Sequence, residues 1–234
     1  GKRRLNMDAK LIFRYFPDLD QTAKARFLQM QDLYTFWNQK INVISRKDME
    51  HLYLRHVLHS LALSKAIGNN PFQKNVSVLD AGTGGGFPGI PLAVLHPSTR
   101  FVLCDSIAKK IKVVSGITAQ LGLTNVTPVV SRMESLPDRT YDVIISRAVA
   151  SLVKFIPWAH NKIKKDGRIL FLKGGDLTSE IHEASGKLGI PETCFTITEL
   201  QNTYPGLNDD FFDTKKICEI KQTSYLCAPL LKSS

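Results

Sequence analysis

Two hydrophobic patterns divide the chain. Up to about residue 70, apolar residues recur at helical spacing: Leu28, Leu33, Phe36 and Trp37 stand among Gln, Lys and Asp. A second helix is predicted from near Asp48, with Leu52, Leu54, Val57, Leu58, Leu61 and Leu63 as its apolar positions. Gly68-Asn69-Asn70-Pro71 stops it. The segment between, 38–47, is polar and basic. From residue 76 the period changes. Short apolar runs at 76–81, 101–105, 126–130, 141–146 and 168–173 read as strands, and helical stretches fall at about 89–96, 107–121 and 150–164. Strands that are apolar throughout and alternate with helices belong to a parallel sheet covered on both faces. The tail adds a helix at about 176–188 and strands at 194–200 and 216–221. We therefore expect an α/β fold with a helical extension over 1–70 and the main domain over 71–234.

The first strand runs into Asp80-Ala81-Gly82-Thr83-Gly84-Gly85-Gly86-Phe87-Pro88-Gly89. In open α/β sheets, ligands bind beyond the carboxyl ends of the strands. Glycines there permit a tight turn and a close approach of the ligand to the backbone. Gly84, Gly86 and Gly89 match the dinucleotide fingerprint literally, which keeps an NAD-dependent oxidoreductase in view. Two details oppose it. Asp80 would repel a pyrophosphate but suits a cationic ligand, and Pro88 and Pro91 flank the next helix, which the fingerprint does not ask for. S-adenosylmethionine, with its sulfonium and ammonium, fits better. Asp105 ends the second strand, where a carboxylate can bind ribose hydroxyls or cap the following helix. The loop 131–135 could hold an adenine, with Met133 as an apolar face. Arg147 ends the fourth strand in the expected cleft.

Charge then points to a partner. The formal net charge of +10 is split as +6 over 1–70, +8 over 71–175 and −4 over 176–234. One basic face for a polyanion explains such a split better than uniform surface charge. No run of about 18 apolar residues is present, so no membrane helix is expected, and no signal peptide is read. Cys104, Cys194, Cys218 and Cys227 form no paired spacing, so neither a zinc site nor a disulfide framework is expected, which suits a reducing cytoplasm. We expect His96, His160 and His182 to be structural or solvent-facing, and Phe27, Phe36 and Trp37 to lie in the core.

The stretch Leu79 to Pro91 resembles the first motif of the RsmG (GidB) methyltransferases. Ile145-Ser146-Arg147-Ala148 and Leu172-Lys173-Gly174 are similar to later motifs of that family, as are Trp37-Asn38-x-x-Ile41-Asn42 and Arg55-His56-x-Leu58-x-Ser60. The resemblance covers about residues 30–175. His59 departs from it, standing where many members carry an acid. The resemblance implies a bacterial enzyme with the Rossmann-like class I methyltransferase fold, whose seven-stranded sheet has its last strand antiparallel. It implies S-adenosylmethionine as methyl donor and guanine N7 of 16S ribosomal RNA, naked or in a small-subunit assembly intermediate, as acceptor. Gly82, Phe87, Met133, Glu134 and Arg147 would bind the cofactor, joining Asp80, Gly84 and Asp105.

Guanine N7 carries a lone pair at neutral pH, so no general base is required and no catalytic side chain is assigned. Arg147 and Lys173 are candidates for guanine O6 or a phosphate, and Arg46, Arg55 and His56 for the RNA-facing surface. Neutralising Arg46, Arg55 or Lys173 is expected to weaken methylation while sparing cofactor binding. We expect a monomer. Another RNA as substrate, or an RNA-binding module without turnover, are the remaining readings.

Overall fold

The computed structural model describes residues 8–147 and 150–221. Its frame is a seven-stranded sheet: β1 (Ser77–Ala81), β2 (Arg100–Asp105), β3 (Val126–Val130), β4 (Tyr141–Arg147), β5 (Ile163–Gly174), β6 (Phe195–Glu199) and β7 (Lys215–Ile220). The order is β3-β2-β1-β4-β5-β7-β6. The first five strands pair in parallel, and β7 runs antiparallel to both β5 and β6. Helices α1 (Lys10–Tyr15), α2 (Gln21–Lys40), α3 (Arg46–Met49) and α4 (His59–Lys65) precede the sheet. Helices α5 (Gly89–Leu95), α6 (Ala108–Gln120), α7 (Leu152–His160) and α8 (Thr178–Leu188) connect its strands. None of these helices is long and apolar enough to cross a membrane.

Alternation along the strands decides what each face meets. Val78, Leu103, Val143, Ile145, Leu170, Leu172 and Ile217 face the N-terminal helices together with α5 and α6. Leu79, Ala81, Cys104, Ile144, Ile169, Phe171 and Cys218 face α7 and α8. Cys104 and Cys218 are thus small core residues; Cys227 lies outside the described residues, as do Lys2, Arg3, Arg4 and Ala148. The predicted strands and sheet helices are all present, with shifted ends. β5 begins five residues before the predicted start. An irregularity between Tyr141 and Val143 lets it pair with β4 at Ile163 and again from Arg168, which shortens α7 relative to the predicted 150–164.

The N-terminal segment departs more from the expected pattern. α2 is capped by Asp20, which accepts from Ala23 N at 2.7 Å. Its buried face is Ala23, Phe27, Met30 and Tyr34. Leu28 and Phe36 are exposed instead, at 52% and 44%, and Lys40 Nζ lies 4.2 Å above the Phe36 ring. α2 carries apolar residues on more than one face, and its docking on α6 selects which face is covered. That docking is close: Trp37 lies over Gly116, where a Cβ would come within 2.1 Å of the ring. Arg26 donates to the carbonyls of Leu121 and Gly122 just beyond α6, where a cation is favoured.

The helix predicted from Asp48 is broken into α3, a π-helical segment (Leu52–Leu58) and α4. The wider turn buries Leu52, Tyr53, Leu54, Val57 and Leu58 together, more than one stripe of an α-helix could place inside. The chain beyond β6 returns over these helices. Tyr204 Oη donates to Leu58 O at 2.6 Å, and Tyr15 Oη donates to Pro205 O at 3.0 Å.

Gly116→Ala tests the docking. We expect about 1–3 kcal/mol of destabilisation from overpacking against Trp37, read as a lower urea midpoint with an unchanged slope.

Candidate active site

The glycine turn is built around Asp80. This wholly buried carboxylate accepts through Oδ2 from Thr83 Oγ1 at 2.7 Å and from Gly89 N at 2.8 Å. Gly82, Gly84 and Gly86 adopt positive φ of 70°, 58° and 110°, a region that favours glycine. At Gly89 a Cβ would stand 2.8 Å from the Asp80 carboxylate and 2.7 Å from Leu103. Asp105 closes the other side: its Oδ2 accepts from Gly84 N at 3.0 Å and its Oδ1 from Ile107 N at 2.9 Å, leading into α6. From the N-terminal layer, Tyr34 donates to Gly85 O at 2.7 Å and stacks on Phe87 with ring centres 4.9 Å apart. The Asn38 amide accepts from Val43 N and Ile44 N and donates to Ile44 O, which sets Val43 against the turn.

A cavity of about 530 Å³ opens over this turn. Gly82, Thr83, Gly84, Phe87, Asp105, Met133, Glu134 and Arg147 line it, joined by Phe155 and Trp158 from α7. Seven of the eight residues expected to bind a cofactor therefore share one wall. Asp80 is not on that wall; it sits behind the turn, and its Oδ1 has no hydrogen-bond partner among the described residues. Burial raises its pKa to about 7. Asp105 braces the turn and the chain entering α6 while keeping a place on the cavity.

A second cavity, of about 650 Å³, lies on the far side of Arg147. Arg55, His56, Arg147 and Lys173 line it, with Asp48, His59, Leu172, Glu180, Phe211 and Lys215. Arg147 belongs to both cavities. Its guanidinium packs 5.4 Å over the Phe87 ring and donates to His56 Nδ1 at 3.0 Å. That bond puts the proton of the neutral imidazole on Nε2, which faces Asp48 Oδ2 at 3.7 Å. Asp48 also accepts from Arg55 Nη1 at 3.0 Å. The π-helical segment brings Arg55 and His56 to this chain of contacts. Burial, then the charge of Arg147, lowers the His56 pKa to about 4.

The expected RNA-facing cations are placed unequally. Arg46 is exposed at the start of α3. Arg55 is paired with Asp48, and Lys173 Nζ is held by Glu180 at 2.6 Å and by Ala150 O at 3.0 Å. Glu180 and Asp48, both missed in the sequence, are the acids that hold them. The only local signal was a spacing of seven residues in both Asp48–Arg55 and Lys173–Glu180, which nothing in the sequence identifies as a contact. His59 is buried, edge-on to Phe211 and Phe212, with Nε2 unpartnered among the described residues. His96 pairs with Ser64 Oγ at 2.8 Å, and exposed His182 with Glu192 at 2.7 Å.

The sheet order is decisive for the class. A dinucleotide-binding sheet continues past its fifth strand with a parallel sixth; here antiparallel β7 is inserted between β5 and β6. With the glycine turn after β1 and an acid at the end of β2, the fold is that of the S-adenosylmethionine-dependent methyltransferases. Two solved structures share it. M. jannaschii TYW2, in complex with AdoMet, matches with a TM-score of 0.52 at 15% identity, covering 72% of this chain and 75% of that one. A ribosomal protein L11 methylase from Lactobacillus delbrueckii subsp. bulgaricus matches at 0.51 and 20% identity, covering 70% and 76%. The family described as rRNA small subunit methyltransferase G matches residues 23–196. Ribosomal RNA small subunit methyltransferase G of Christiangramia forsetii is 46% identical over 217 residues, 90% of this chain and 96% of that protein. Its counterpart in Porphyromonas gingivalis is 42% identical over 215 residues, 89% and 91%. This chain belongs to the rRNA small subunit methyltransferase G family.

Burial makes the site sensitive to acid. His56 and His96 are held near 4, and His59 is also lowered, so the folded protein keeps them neutral where the unfolded chain takes protons near 6.5. The unfolded state then binds more protons below pH 6.5, and stability falls as the pH drops through that window. Asp80 acts in the opposite sense, because the fold retains its proton up to about pH 7. Three histidines outweigh one carboxylate. We expect a lower urea midpoint at pH 5 than at pH 7, and a steeper loss in Asp80→Asn.

Proposed function

We propose that this protein transfers the methyl group of S-adenosylmethionine to N7 of a guanine in 16S ribosomal RNA, acting as a monomer in the bacterial cytoplasm. The observation that carries this reading is the pair of cavities meeting at Arg147. One has the features of a nucleoside site: bare glycine backbone, the Asp105 carboxylate and the apolar faces of Phe87 and Met133. The other is lined by Arg55, His56, Arg147 and Lys173, as an acceptor from a polyanion requires. We read 71–234 as the methyltransferase domain and 1–70 as the extension that supplies one wall of the acceptor cavity.

The first cavity fits S-adenosylmethionine. Asp105 would hold the ribose, Met133 and the backbone near Glu134 the adenine, and Gly82 to Gly84 the amino-acid moiety. The buried, half-satisfied Asp80 behind the turn favours a positive group in front of it. When bound, the cofactor supplies an electrophilic methyl group on a sulfonium. The protein orients N7 in line with that methyl and keeps water away. Positioning of this kind contributes up to roughly 7–11 kcal/mol. Arg147, at the wall between the cavities, donates to guanine O6 next to the reacting N7. Adenine would present an amino donor there. No side chain need remove a proton before transfer, because N7 attacks through its lone pair.

The decisive assay incubates the protein with S-adenosylmethionine and small-subunit RNA from cells lacking the modification, as free RNA and as assembly intermediates, then maps the base. One 7-methylguanosine supports the proposal. Methylation of a different atom, or of another RNA only, overturns the N7 or the 16S assignment. Arg46→Ala should weaken RNA binding at every sequence and reduce the salt slope of log K by about 1, while leaving cofactor affinity unchanged.

A further inference from the structure

Glu180 stands outside both the glycine turn and the basic set, yet it is held in place from two sides. Its Oε1 accepts from Lys173 Nζ at 2.6 Å and from Leu152 N, in the first turn of α7, at 2.9 Å. Lys173 is fixed in turn by Ala150 O at 3.0 Å. The side chain is 24% exposed on the acceptor cavity, and its other oxygen has no hydrogen bond among the described residues. The second carboxylate of this cavity, Asp48, is ion-paired with Arg55 through Oδ1, and its Oδ2 stands 3.7 Å from His56 Nε2. Glu180 is thus a charged acceptor, oriented in advance, with one oxygen left to face what enters.

We propose that Glu180 is the specificity-determining residue for guanine, its free oxygen accepting from the base's N1–H and 2-amino groups. This rests on reading the cavity as the acceptor-base pocket. Moving round the guanine ring from N7 one meets O6, an acceptor, and then N1–H and the 2-amino group, both donors. Arg147 lines both cavities, whereas Glu180 lines the acceptor cavity alone. A donor beside the cofactor and an acceptor further in is the same order. Adenine reverses both: its 6-amino group would meet Arg147, and its N1 lone pair would meet a carboxylate. Lys173 then acts as a positioning residue that holds Glu180 rather than as a phosphate contact.

The test crosses enzyme and base. Once the modified guanosine is mapped, a small-subunit RNA is made with guanosine or with inosine at that position; inosine keeps N7, O6 and N1–H but lacks the 2-amino group. Wild-type protein should methylate the inosine RNA about tenfold less efficiently in kcat/KM, the worth of one good base contact. Glu180→Gln keeps the shape and a carbonyl oxygen for Leu152 N and Lys173. It should lose more activity on guanosine than on inosine, which offers only the N1–H contact to lose, and bind S-adenosylhomocysteine as the wild type does. Equal losses on both RNAs would make Glu180 merely structural and overturn the proposal. So would wild-type protein that treats guanosine and inosine alike, a result that stands even if the variant fails to fold. Wild-type protein that methylates no guanine N7 would overturn the proposed function itself, and this proposal with it.

Discussion

One carboxylate, removed from water, organises the reactive end of the sheet. Asp80 closes the loop between β1 and α5 by accepting from Thr83 and from Gly89 at once. Those two bonds fix where the chain leaves the strand and where the helix begins. The intervening residues must then turn within a short span, which is why positive φ falls at Gly82, Gly84 and Gly86. Burying a carboxylate with one oxygen unsatisfied is costly. An amide could accept the same two bonds, as Asn38 does, but only a carboxylate, when ionised, also places negative charge behind the turn. Asp105, from the end of β2, braces the same loop through Gly84 N.

The second organising contact crosses from the N-terminal layer. Phe87 is clamped between Tyr34 and the Arg147 guanidinium, and Arg147 is bonded to His56. A cation at the end of a central strand would otherwise sweep through many rotamers. Here its guanidinium is engaged at its face by Phe87 and at its edge by His56, and its neutral histidine partner leaves its charge uncompensated at close range. The helices before residue 70 therefore share one apolar core with the sheet and also complete the site.

Much of this was legible in the sequence, for reasons that show why the rest was not. The strands of a doubly covered sheet are apolar throughout, so β1 to β5 stand out, and the glycine turn marks its own strain. The lining of the first cavity follows from strand ends and the family resemblance, so Gly82, Asp105, Met133 and Arg147 could be named without a structure. The buried face of α2 could not. Its apolar residues surround the helix, and only tertiary contacts, among them Trp37 on Gly116, Arg26 on the end of α6 and Tyr34 on Gly85, turn Phe27, Met30 and Tyr34 inward while Leu28 and Phe36 stay out. The π-helical turn left no trace in spacing, since an extra residue in one turn reads as an ordinary helix. Cations were recognised as cations, but their pairing was hidden. Asp48–Arg55 and Lys173–Glu180 are set by tertiary packing, so residues that looked like free charge for RNA turned out to be partly spent within the site.

The two cavities also differ in how they are spread along the chain. The residues lining the first lie between Val43 and Trp158, whereas the second draws on Asp48 at one end and on Phe211 and Lys215 at the other. As the chain is synthesised from its N-terminus, the first cavity has all its lining residues while the last strands are still unmade. The second cavity gains the rest of its wall only with Phe211 and with Lys215, the first residue of β7. The second cavity is therefore the later of the two to have all its lining residues, and a chain cut short before residue 211 would hold every residue lining the first but lack Phe211 and Lys215 from the second.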